Sequence, residues 1–139
     1  MNTREYLNQI QRYDRVIRNK YVELEQLEAH ATGLSSFSYG DRVQTSGSQD
    51  KIGDLVAKIV DLQSEIADDT NEYLEKKTQV IKTIDSVKNS VLYDILFKKY
   101  VEGKTLDIIA DEIGYSYQRI KELHLSAIAT VKKIKGFDS

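Results

Sequence analysis

The stretch LDIIADEIGYSYQRIKELHLSAI, residues 106–128, decides the fold of the C-terminal part of this chain. Two short helices that cross closely need a small residue where they meet, and Ala110 provides it. Gly114 follows where the chain must reverse through a left-handed backbone conformation, which glycine adopts without a Cβ clash. Ile120 and Leu123 then return to the shared core, so the spacing predicts a helix-turn-helix. Its predicted core consists of Ile109, Ala110, Ile113, Gly114, Ile120 and Leu123, with Tyr115 beside them.

The exposed positions of the second helix are candidates for contact with DNA, because the N-terminal end of such a helix enters the major groove. Thr105 and Ser116 are the expected N-caps of the two helices. Gln118 can read adenine through two hydrogen bonds, and Lys121 can reach guanine or a phosphate. Tyr117 can stack or bond a phosphate. The predicted DNA-binding residues are Lys104, Thr105, Ser116, Tyr117, Gln118, Arg119, Lys121, Glu122 and Lys132.

Further lysines near the motif are placed to contact backbone phosphates, although a solvated surface explains each of them equally well. These lysines are Lys98, Lys99, Lys104, Lys132, Lys133 and Lys135. The basic surplus is modest: residues 88–139 carry nine Lys and Arg against seven Asp and Glu, whereas residues 1–87 carry 11 against 15. Since phosphate binding scales with the number of cations, one copy is expected to bind weakly and in a salt-sensitive way. A homo-oligomer or a protein partner is expected to supply the remaining affinity.

The pattern predicts an all-α chain with two domains. Residues 88–139 are predicted to form a head of three helices, over 89–101, 105–113 and 117–135, which is a size typical of a small DNA-binding domain. Residues 1–87 are predicted to form a long antiparallel coiled-coil helical hairpin, because apolar side chains recur there at heptad spacing. A dimer through the same surfaces is the competing arrangement.

Within the hairpin, the first helix is predicted over 3–30 with Thr3 as its N-cap, and the second is predicted to begin at Asp50. The segment 31–49 is rich in Ser and Gly, lacks apolar periodicity and is predicted to be the crossover loop. Its polar side chains have two interpretations. They could dock a partner or clamp the tip of the hairpin, or they could form local capping bonds that order the crossover; the side chains in question are Asp41, Arg42 and Gln44.

The composition excludes several classes of function. The 139 residues include no Cys and no Pro, which removes disulfides, thiolate catalysis, iron–sulfur clusters and zinc fingers and leaves helices uninterrupted by proline. His30 and His124 lie far apart in the chain, and the paired carboxylates lie on exposed helix faces. We therefore expect no enzyme, no cofactor and no metal site. His124 is expected at the edge of the core or on a phosphate.

Two further expectations concern location. No stretch approaches the ~18 apolar residues that a membrane span needs, and the first residues, MNTREYLNQIQRYDR, lack the apolar region of a signal peptide. The sequence therefore predicts a cytoplasmic protein with no membrane partner.

The head resembles region four of sigma-seventy-type sigma factors, which recognises the -35 promoter element. The YVEGKT turn, the IADEIG helix and the YS cap carry this resemblance. Over nearly its full length the chain is similar to a family of small proteins encoded by phages and prophages of Gram-positive bacteria. The motifs are YLNQI (6–10), GDRVQTSG (40–47), AKIVDLQSEI (57–66) and the head from about residue 90. The resemblance implies a phage transcription regulator in the style of the ArpU-type late-gene activators, with promoter DNA as its partner and the cytoplasm of the bacterial host cell as its location.

One departure from that family lies in the second helix of the motif. The family usually runs R-L-H-x-R-A there, whereas this chain has Glu122 and Ser126 in place of the two arginines. The departure predicts a different operator or weaker DNA affinity. It also allows the head to contact RNA polymerase, since sigma region four binds the polymerase flap. The alternative hypothesis is therefore a coiled-coil protein-interaction adaptor that binds a phage or host protein without specific DNA binding.

Overall fold

The structure is a computed structural model that describes the backbone of residues 1–40 and 46–139 and the side chains of residues 1–33 and 50–139. The described residues form helices joined by short turns and contain no strand, which confirms the all-α prediction. A π-helical turn over Phe97–Val101 continues the fourth helix. The helices are α1 (Thr3–Leu7), α2 (Gln9–Gly40), α3 (Ser46–Asp85), α4 (Ser90–Leu96), α5 (Leu106–Ile113) and α6 (Tyr117–Lys135).

The predicted crossover loop over 31–49 was wrong in extent. Helix α2 continues to Gly40 and α3 already begins at Ser46, so Asp50 lies inside α3 and is not its N-cap. Serine and glycine cost a helix only about 0.5–1 kcal/mol each relative to alanine, and the segment has no proline to remove a backbone donor. The segment 41–45, which includes Asp41, Arg42 and Gln44, lies outside the described residues.

Two compact units divide the chain. One consists of Met1–Asp14 with Glu72–Ser139, and the other consists of Arg15–Asn71. This division does not follow the predicted boundary between residues 87 and 88, because the start of the chain and the end of α3 share a core with the C-terminal helices. That core includes Leu7, Ile10, Val80, Ile84, Leu96 and Val131.

The start of the chain is fixed within the first unit by hydrogen bonds. Asn2, not the predicted Thr3, is the N-cap of α1: its side chain accepts from the Glu5 amide at 2.9 Å, and the Glu5 carboxylate accepts from the Asn2 amide at 3.3 Å. Thr3 is buried instead, and both its amide and its hydroxyl donate to the Ser139 carbonyl oxygen at 2.7 Å. Thr3 therefore joins the first helix to the last residues of the chain.

In the C-terminal part of the first unit, α5 and α6 pack around a second cluster. Ile109, Ala110 and Ile120 are buried together with Ile95 of α4, and Ile113 and Leu123 pack partly buried against them. A turn of three residues, 114–116, joins the two helices. The predicted core position of Tyr115 was wrong, because its side chain is 41% exposed. The turn directs it outward while its amide donates to the Ala110 carbonyl oxygen at 3.1 Å.

Gly114 ends α5 in the left-handed conformation, with φ of +85°. Its amide donates to the Ala110 carbonyl oxygen at 2.8 Å, which closes the end of the helix. Two features favour glycine at position 103. Its φ is +76°, and a Cβ there would lie 2.9 Å from the Gln11 Oε1 atom. The Gln11 amide in turn donates to the carbonyl oxygens of Tyr100 and Val101 at 3.2 and 3.3 Å, at the end of the π-helical turn.

In the second unit, Leu62 and Ile66 of α3 are buried. Lys20 of α2 forms ion pairs with Asp69 at 2.5 Å and Glu65 at 3.7 Å on α3. Both carboxylates raise the pKa of Lys20, the hydrogen bond with Asp69 most of all. The charge of Lys20 is therefore paired with carboxylates across the two helices.

None of the helices in the described part of the chain is both long and apolar enough to cross a membrane.

Candidate nucleic-acid interface

Of the two predicted N-caps, the one of α6 is formed as the sequence predicts, and the one of α5 is not. Ser116 has extended backbone, and its hydroxyl oxygen accepts a hydrogen bond from the Arg119 amide at 3.1 Å, so it caps α6. Thr105 occupies the N-cap position of α5, but its side chain makes no capping bond. Its hydroxyl donates to the Asp107 carboxylate instead, a bond that lowers the pKa of Asp107. The Thr105 hydroxyl therefore donates to a carboxylate of the first turn and does not accept from a helix amide, as a capping bond would require.

The predicted DNA-binding residues within the first two turns of α6 all lie on its solvent side. Tyr117, Gln118, Arg119, Lys121 and Glu122 are exposed, while the intervening Ile120 is fully buried. The Lys121 ammonium lies 5.6 Å from the centroid of the Tyr117 ring, within the range of a cation–π contact. The first two turns of α6 therefore present a row of polar, charged and aromatic side chains that is anchored from beneath by the core.

Leu125 extends this row, although it was not among the residues predicted from the sequence. It follows Tyr117 and Lys121 at intervals of four residues, which places the three side chains along one face of the helix. The side chain of Leu125 is 58% exposed. A helical projection of residues 117–128 gives this signal, because Leu125 falls opposite the buried positions Ile120 and Ala127.

Two of the predicted phosphate-contacting lysines are held by one carboxylate. The Lys98 and Lys104 ammonium groups lie 2.7 and 2.8 Å from the Glu112 carboxylate oxygens, and Lys104 also lies 2.8 Å from Glu102. Hydrogen bonds to Lys104 and then Lys98 lower the pKa of Glu112, and hydrogen bonds to Glu102 and then Glu112 raise the pKa of Lys104. A phosphate that approaches these lysines must therefore compete with Glu112.

The remaining predicted phosphate contacts lie in the π-helical turn after α4 and at the end of α6. Lys99 lies 5.7 Å from the Tyr100 ring centroid and Lys135 lies 5.0 Å from the Tyr6 ring centroid. Lys132 is half-buried, whereas Lys133 is exposed. These cations are positioned by aromatic rings or by the helix surface rather than by a carboxylate.

His124 belongs to the core and does not face a phosphate. Only 5% of its surface is exposed, and its Nε2 atom shares a hydrogen bond of 2.7 Å with the Tyr100 hydroxyl. Burial, with Lys99 and Arg4 nearby, lowers the pKa of His124 to about 4, and burial raises the pKa of Tyr100 to about 12. Both groups are therefore neutral at physiological pH. In the described residues, no three His, Asp or Glu side chains come together as a metal-binding group.

The comparison with known families gives a match that includes α5 and most of α6. A family model described as "Protein of unknown function (DUF1492)" matches residues 33–131, which is 99 of the 139 residues. The chain belongs to the DUF1492 family. No curated protein and no solved structure matches it. Since the family description assigns no activity, the function of this DUF1492 member has to be inferred from its own residues.

Proposed function

We propose that this protein is a phage-encoded DNA-binding transcription regulator that recognises promoter DNA through α5 and α6, used as a sigma-like helix-turn-helix. The observation that carries the proposal is the exposed row on α6, from Tyr117 to Leu125, above a buried Ile120. The left-handed Gly114 and the small, buried Ala110 support it, because a close helix pair with a short turn needs both. Late-gene control follows from the resemblance to ArpU-type regulators.

In this proposal the N-terminal turns of α6 lie in the major groove. Gln118 donates to and accepts from adenine, and Lys121 donates to guanine or a phosphate. Arg119 and the Tyr117 hydroxyl contact the backbone and fix the position of the helix. Leu125 lies about 12 Å along the helix from Tyr117, where an apolar side chain can contact a thymine methyl group. Glu122 either accepts from the cytosine amino group, which favours that base, or repels phosphates, which weakens binding to every sequence alike.

The long helices α2 and α3 are proposed to form an antiparallel coiled-coil hairpin. Two hydrogen bonds within the first unit, one from α1 and one from the start of α2, support opposite directions for the start of the chain and the end of α3. The Tyr6 hydroxyl lies 2.7 Å from the Thr83 hydroxyl, and the Tyr13 hydroxyl donates to Glu72 at 3.1 Å. The partner residue thus moves toward lower numbers on α3 as the chain moves toward higher numbers.

The test is a binding titration of the full-length protein against a phage promoter fragment and a random fragment of equal length. The double variant Gln118→Ala, Lys121→Ala removes two base contacts, each worth roughly 1–3 kcal/mol, so we expect at least a tenfold loss of specific affinity. The matched control is Gln26→Ala, Lys58→Ala, which changes the same residue types at exposed positions of α2 and α3. Equal affinity for both fragments, with no effect of the first variant, contradicts the proposal.

A protein-interaction adaptor is the second candidate, and the pairing of Lys98 and Lys104 with the carboxylates of Glu112 and Glu102 favours it. Fewer free cations mean fewer phosphate contacts for the head. In that case the exposed Leu125 faces a protein such as RNA polymerase. Co-purification with the host polymerase that Leu125→Ala abolishes, combined with no preference for promoter DNA, selects the adaptor.

A further inference from the structure

The exposed surface of α3 within the second unit is divided sharply by charge. Between residues 53 and 71, the exposed charged residues follow one line at intervals of three and four. They are Asp54, Lys58, Asp61, Glu65 and Asp68. Every other exposed α3 residue in this range is uncharged. At 100° per residue, the charged line, the buried seam and the uncharged residues each occupy a separate third of the helix.

The third sector is here named the uncharged face. Its central residues are Val56, Ala57, Val60, Gln63, Ser64 and Ala67. Val56 and Val60 are 48% and 55% exposed, although branched apolar side chains are usually placed in a core. The face repeats at heptad spacing, like a seam that packs against another helix. The buried seam of α3 lies on a different sector, so the uncharged face is not the surface that packs against α2.

An open groove of about 520 Å³ continues the uncharged face toward α2 within the same unit. It is lined on α3 by Gln63 and Ala67, which belong to the face, and on α2 by Tyr21 and Leu24. The Tyr21 side chain is exposed at the rim of this groove. The groove gives an apolar side chain from another molecule a place to pack beside the face.

We infer that the uncharged face binds a second copy of this chain. Residues 15–71 contain six Lys and Arg against ten Asp and Glu, a net charge of -4, so the net electrostatic interaction between two copies of this unit is repulsive. The uncharged face is the sector of α3 on which two copies can meet without opposing carboxylates. It is also complementary to itself about a two-fold axis near residue 62, which sets Val60 of one copy against Ser64 of the other and Ala57 against Ala67.

The area of the face sets the strength of this contact. Residues 53–71 extend about 27 Å along the helix, and with a contact width of about 10 Å they bury roughly 270 Å² per copy. This is well below the roughly 800 Å² per partner of a standard stable interface. The dimer is therefore weak, and becomes populated at high protein concentration or when two copies are held close together. This inference does not rest on DNA binding.

The test is sedimentation equilibrium of the full-length protein, without DNA, over a wide concentration range. The mass is expected to rise above the 15.9 kDa of one chain. Val60→Glu places two like charges in the contact and is expected to raise the dimer Kd at least about tenfold. The control Lys58→Glu changes the net charge twice as much on the charged line and is expected to leave the Kd unchanged at high salt, where the general repulsion between copies is screened. Because Val60 and Lys58 are exposed, circular dichroism should give the same helicity for both variants.

Cross-linking supplies a second readout, because the natural chain has no cysteine. Ser64→Cys on the uncharged face is expected to give covalent dimers with a short bismaleimide, whereas Asp61→Cys on the charged line is not. High salt should not weaken the dimer, unlike phosphate binding, so failure here is distinguishable from failure of the DNA proposal. A mass of one chain at every concentration, self-association of Val60→Glu equal to the natural chain, or equal cross-linking of both cysteine variants overturns the inference.

Discussion

Lowering the pH from 7 toward 4 should destabilise the first unit through His124. The buried imidazole has a pKa of about 4 in the folded chain and an ordinary value of 6.5, so the unfolded chain binds the proton more tightly. Stability from the neutral imidazole is therefore fully present above pH 6.5 and is lost as the pH falls toward 4. A shift of this size corresponds to about 3 kcal/mol at 1.36 kcal/mol per pKa unit.

The measurement is urea unfolding, followed by circular dichroism, at several pH values between 7.5 and 4. The comparison is His124→Gln, whose amide can still bond the Tyr100 hydroxyl but does not titrate. Surface carboxylates with lowered pKa values, such as Asp107 and Glu112, affect both proteins alike and cancel in the difference. We expect the natural chain to lose about 3 kcal/mol more than the variant between pH 6.5 and 4. Parallel pH profiles would refute the assignment of a buried, neutral His124.

Two further predictions concern the turn and the lysine pair. Gly114→Ala should lower the free energy of unfolding by about 1–2 kcal/mol in urea titrations, because the left-handed conformation strains a Cβ that otherwise meets nothing within 4 Å; an unchanged midpoint contradicts this. Glu112→Gln removes the carboxylate shared by Lys98 and Lys104, so salt-dependent titrations should show tighter DNA binding and a steeper salt slope. An unchanged slope would mean that these lysines do not reach phosphates.

Much of the fold was predictable from short-range patterns. Heptad and 3.6-residue periodicity locates the helices, and the head helices over 105–113 and 117–135 agree with α5 and α6 to within a residue. The extent of the long helices was not predictable in the same way. Residues 31–40 lack apolar periodicity, and a Ser- and Gly-rich stretch signals a loop whenever nothing else is known about its surroundings.

In the candidate site, too, some features were predictable from the sequence and others were not. The exposed row on α6 follows from helical periodicity around Ile120, so the sequence by itself determines which side chains face outward. Contacts between side chains that are distant in the chain are determined by the tertiary structure. Glu112 meets Lys98 from another helix, and His124 meets Tyr100 across 24 residues.

The sequence by itself determined that this protein is helical and where its short helices begin and turn, because periodicity, capping and a left-handed glycine act over a few residues. Only the tertiary structure decided that Thr3 packs against Ser139, that His124 stays neutral, and that Lys98 and Lys104 share Glu112. Each of these depends on which helices are brought together, since burial and electrostatic pairing are set by neighbours in space. The uncharged face of α3 is recognised only from the sequence and the structure together. Periodicity places its residues on one sector of the helix, and burial shows which sector α2 leaves exposed.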